Sequence, residues 1–112
     1  QHKNMITVHN ENELKAVLKN SATEFVVDDF AVETAVKIFC NSELLESIKA
    51  NAFDNLSLAA IKPVIEQAAG FTSEKVTITV CSEVVQCVAL LLKNVAEATF
   101  DNDTKKVAAV LK

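Results

Sequence analysis

The residues with the most chemistry to offer are Cys81, His9 and Asp28, with Asp29 and Ser82 beside them. A thiol at a helix amino terminus is acidified by the helix dipole, and an imidazole oriented by a carboxylate can take its proton. Far apart in sequence, these residues can meet only through the fold. His9 follows the run Met5–Val8, Asp28 and Asp29 follow Glu24–Val27, and Cys81 and Ser82 follow Val76–Val80. If those runs are parallel strands of one sheet, all five residues share its carboxyl edge, where open α/β sheets bind ligands. The same residues also suit plain structural work. Chains leave the core at strand ends, and Asp28, Asp29 and Ser82 can cap the helices that follow. A small cysteine-dependent enzyme, with Cys81 as nucleophile, His9 as base and Asp28 as orienting carboxylate, is therefore the alternative reading and not the leading one.

Other chemistries find less support. Cys40, Cys81 and Cys87 include no CxxC pair and no histidines at finger spacing, so neither a zinc site nor a disulfide scaffold is expected. Free thiols suit a reducing compartment, and the cytoplasm is the expected location. Cys40 and Cys87 fall on apolar helix faces and are expected in the core. Gly70 is the single glycine, which excludes a glycine-rich phosphate loop. Asp101-Asn102-Asp103 starts like a calcium loop but lacks its glycine and terminal glutamate. Asp54-Asn55-Leu56-Ser57 departs from the acyl-carrier attachment motif, in which the serine directly follows the aspartate. No metal and no cofactor are expected.

Charge and hydropathy narrow the partners. The 112 residues carry a formal charge of −4, and all 11 basic residues are lysines. Without arginine, and with no basic run longer than Lys105-Lys106, nucleic-acid binding is not expected. The longest apolar stretch, Val84–Leu92, is too short to cross a bilayer, and the first residues lack the apolar core of a signal peptide. Residues 1–4 read as a tail or tag remnant, and residues 5–112 as a single globular domain.

The elements follow from pattern. Ile6-Thr7-Val8 alternates as a short strand, and Asn10 with Glu13 forms a capping-box-like start to a helix ending near Asn20. Glu24–Val27 is a second strand. Phe30–Cys40 is a helix apolar on most sides, Leu44–Ala52 an amphipathic one, and Ser57–Ala69 a third that Pro63 should kink or split and Gly70 should end. Val76-Thr77-Ile78-Thr79-Val80 alternates most clearly and is expected to be the third strand, with Ser82 capping a long central helix to about Glu97. Ile6–Glu11 is similar to Ile78–Glu83, which a shared grammar of strand, cap and helix explains better than duplication does. Asp101-Asn102-Asp103 is a turn, and 104–112 a short helix or frayed tail.

The expected architecture is α+β: a small three-stranded sheet in β-α-β-α-α-α-β-α order with helices on one face. Threonines alternating with apolar residues fit a sheet with one wetter face better than a fully sandwiched parallel sheet, which is the alternative. The expected function is a noncatalytic protein-interaction module, such as a small regulator, inhibitor or self-assembling subunit. Its ground is surplus apolar surface on the helices at 30–40 and 83–97, which predicts a protein partner and a homo-oligomer. A helix layer over a small sheet can also enclose an apolar ligand, and a carrier is the remaining alternative.

Overall fold

A computed structural model of the chain describes residues 5–53, 58–70, 74 and 76–112. The chain begins with β1 (Thr7–Val8), α1 (Glu11–Lys19), β2 (Glu24–Val27), α2 (Phe30–Phe39) and α3 (Ser42–Ile48). A π-type turn, Lys49–Phe53, follows α3, and a 3-10 turn, Leu58–Ile61, leads into α4 (Lys62–Ala69). The long helix α5 (Ile78–Asn94) then runs into the hairpin of β3 (Val95–Asp101) and β4 (Lys106–Leu111). The carrier-like motif at 54–57 and most of the connector at 71–75 lie outside the described residues.

The result is a small α+β domain with a mixed four-stranded sheet, ordered β1-β2-β4-β3. β1 and β2 are parallel, joined by α1, the arrangement on which the shared strand edge was conditional. β4 pairs antiparallel with both β2 and β3. Caps fix the first helices. Asn10 accepts from Glu13 N–H at 2.9 Å, Asp29 from Val32 N–H at 3.1 Å and Asn41 from Leu44 N–H at 3.2 Å. Pro63 sits in the first turn of α4, where its missing N–H costs nothing, and Gly70 ends that helix at φ +86°.

The sheet differs from expectation in its third strand. Val76–Val80 is not a strand: Thr77 caps α5 through a 3.2 Å bond from Val80 N–H, and Ile78 is already helical. Helical periodicity wins over the short alternation. Cys81, Val84, Cys87, Val88 and Leu91 form one buried stripe, whereas a strand would have had to bury Ile78, which is 56% exposed. Ser82 lies inside the helix and caps nothing, so the likeness of Ile78–Glu83 to the first strand and its helix is one of composition alone. The helix also stops before Glu97. Within segment 104–112, expected as helix or tail, Lys106–Leu111 instead forms β4, flanked on both sides by other strands.

The core lies between the helices and one face of the sheet. Val8, Phe25, Val27, Val107 and Ala109 project inward and are buried against Leu14, Val32, Val36, Val84, Val88 and Leu91. α2 and α5 pack against each other as the main helix pair. Their apolar surfaces cover one another, so the surplus expected on these helices is largely consumed inside the fold.

Candidate functional site

The carboxyl ends of the parallel strands do bring His9 and Asp28 together. His9 Nε2 lies 3.9 Å from Asp28 Oδ2, and its Nδ1 lies 2.9 Å from Glu13 Oε1. The His9 backbone N–H also donates to Glu13 Oε1 at 2.8 Å. Glu13 thus reaches back past the cap residue, a capping box displaced by one position. That backbone bond, helped by the imidazole, holds the Glu13 carboxyl below its ordinary range. Asp29, not Asp28, caps α2. All three members of the cluster are solvated, and the bonds they make fasten the start of α1 to the sheet.

Cys81 is placed elsewhere. It lies in the first turns of α5, fully buried, and desolvation pushes its thiol up despite a partial offset from Lys62. Among the described residues no hydrogen bond or ion pair joins its side chain to His9 or Asp28. Cys87 is in the core as expected, its thiol pushed up to about 12 chiefly by burial. Cys40, expected there too, is an exposed residue at the end of α2, where its thiol donates to the Ala98 carbonyl at 3.3 Å. Among the described residues no group of three His, Cys, Asp or Glu side chains could hold a metal ion, and no helix is long and apolar enough to cross a membrane.

A second region emerges from strand register. Thr99 pairs with Ala108, Glu97 with Val110 and Asp101 with Lys106, while Glu24 and Val26 on β2 neighbour Ala108 and Lys106. Cross-strand partners share a face, so these residues line the side of the sheet opposite the core. None of them is buried, and Val110 is 58% exposed. Between β3 and β4 this face carries a depression of about 260 Å³ lined by Glu97, Ala98, Thr99, Ala108, Ala109 and Val110. Small side chains make it: Ala108 and Thr99 leave space over the backbone that larger residues would fill.

Charge and a tight turn hold the hairpin in place. Lys105, at φ +64°, lets the four-residue connection close, and its Nζ reaches Glu33 Oε2 at 3.2 Å, where Lys37 also binds at 3.1 Å. The ammonium lies 6.0 Å from the centre of the Phe100 ring. The turn is therefore tied to α2 by a half-buried network. Sequence reasoning placed the turn at Asp101-Asn102-Asp103 but missed the strands on either side of it. The signal for them was Asp101–Thr104 as a hairpin turn with Phe100 before and Val107 after.

Fold and surface together define a small α+β domain with helices on one side of the sheet and, among the described residues, no layer over the other. Compared with protein-family models, curated proteins and solved structures, the chain matches none.

Proposed function

We propose that this chain is a noncatalytic protein-interaction module whose binding surface is the uncovered face of the sheet. The observation that carries the reading is the outward row of Thr99, Ala108 and Val110, part apolar and without a covering layer among the described residues, on strands whose other face is packed. A helix layer covers one face of a sheet to remove apolar surface from water, and a partner can do the same for the other. The enzymatic alternative is less favoured, because Cys81 is buried and its thiolate disfavoured. A carrier would need an enclosed apolar space, and the depression between β3 and β4 is open.

The expected homo-oligomer lacks its original ground, since α2 and α5 bury their apolar faces on each other. The test is capture of associated protein by the wild-type chain and three variants, each confirmed folded. Cys81→Ser and His9→Ala should retain the associated protein, and Val110→Asp should release it. Retention by Val110→Asp together with release by Cys81→Ser would overturn the proposal.

A further inference from the structure

We infer that the occupant of the uncovered sheet face is an amphipathic helix of another protein, with an apolar stripe flanked by lysine or arginine. This rests on the interaction-module reading and adds the chemistry of the partner. Strands about 4.8 Å apart make a four-stranded face wide enough for a helix about 10 Å across, and small residues let its backbone approach. Ala108 and Thr99 supply that closeness at the centre of the depression, with Val110 as its apolar wall.

Charge complementarity selects the flanks. Lys106 is engaged by Glu24 at 3.2 Å, and Lys105 turns inward to Glu33. Glu97, which lines the depression, makes no ion pair among the described residues. Asp101, on the same strand, is kept ionised by the Asp103 and Thr104 amides that bond its Oδ1. Lys112 lies one residue past the end of β4. Asp101 also feels the Lys106 ammonium opposite it, so Glu97 is the carboxylate of this face that awaits a cationic partner, on a chain whose net charge is −4. A basic flanking side chain can lay its stem on Val110 and Ala108 and bring its head to Glu97.

A second copy fits less well. Packed face to face about an axis across the strands, two sheets centred on Ala108 would set Asp101 against Glu97 of the partner subunit and one Glu24 against the other. About an axis along β4, the two copies of Lys106 would meet. Like charges oppose each other in both arrangements.

The test is a displayed library of helices with a fixed Leu/Ala stripe and flanks randomised among Lys, Arg, Gln, Glu and Asp, selected on the intact chain. Val110→Asp and Thr99→Arg serve as counter-targets, so that one misfolded variant does not decide the outcome. Lys and Arg should be enriched in the flanks, with binding roughly threefold to fivefold tighter than for acidic flanks, as expected from one rim pair at Glu97. Selection on Glu97→Lys should shift the preference toward Glu and Asp. Neutral or acidic flanks winning on the wild-type chain would overturn the inference and leave the interaction surface standing. Binders indifferent to both counter-targets, or no binders, would overturn it as well, and the former would also remove the face from the functional reading.

Discussion

The two faces of the sheet are built from the same strands and live in different solvents. On β4, Val107 and Ala109 face the helices and are buried, while Lys106, Ala108 and Val110 face outward and are not. On β2, the core residues Phe25 and Val27 alternate with the outward Glu24 and Val26. The inner face uses volume, with branched and aromatic side chains filling the space under α2 and α5. The outer face uses smallness and charge. Size and charge, more than hydrophobicity, separate the packed face from the outer one, since both carry apolar residues.

This contrast can be broken hardest from within. Leu91→Asp places a charge on the buried stripe of α5, at 1% exposure, and should cost several kcal/mol or prevent folding altogether. Denaturant unfolding measures it, and a soluble variant of near wild-type midpoint would remove Leu91 from the core.

Thr77→Ala is next. Losing the bond to Val80 N–H should cost about 1 kcal/mol. If Thr77 instead belonged to a strand, the helical content lost with the substitution would be nil, which circular dichroism would reveal.

Thiol reactivity sharpens the same division between inside and outside. Cys81 and Cys87 should alkylate only on unfolding, because burial raises both thiols, Cys87 to about 12. Cys40 is raised too but sits at the surface and should react first. Rapid native labelling of Cys81, mapped by mass spectrometry, would return the enzymatic reading to the front.

The smallest effect is on pH dependence. Glu13 and Asp101 have carboxyls held below their ordinary values of 4.5 and 3.8. Groups depressed in the folded state add stability that is complete above those values and is lost as pH falls through the folded ones. Melting temperature followed from about pH 6 to pH 2 should therefore fall less steeply for Asp101→Asn than for the wild-type chain. A steeper fall for the variant would contradict the turn geometry.

Much of the first half was legible. The alternation at Ile6–Val8, the caps at Asn10 and Asp29, and the apolar stripe from Ala31 to Ile38 act locally, and the structure keeps β1, α1, β2 and α2 where they point. Pro63 and Gly70 likewise mark the ends of α4. The second half was hidden for physical reasons. Thr77 suits a strand and a helix cap equally, and only the longer stripe through Leu91 decides. A register shift between Val95 and Glu97 disrupts the period of two in β3, and Ala108 and Ala109 blur it in β4. Of the proposed catalytic set, His9 and Asp28 meet because both follow parallel strands, whereas Cys81 was assigned to the same edge through a strand that does not exist. The outer face could not be named before β4 was known to pair on both sides.

The account is tested most directly by comparing Val107→Asp with Val110→Asp, two aspartates three residues apart on one strand and on opposite faces. Each variant is followed by equilibrium unfolding and by retention of the protein captured by the wild-type chain. Val107→Asp should unfold the domain, at a cost of several kcal/mol. Val110→Asp should keep its stability within about 0.5 kcal/mol and lose the captured protein. A folded Val110→Asp that still holds its partner would contradict the claim that the uncovered face is the functional surface.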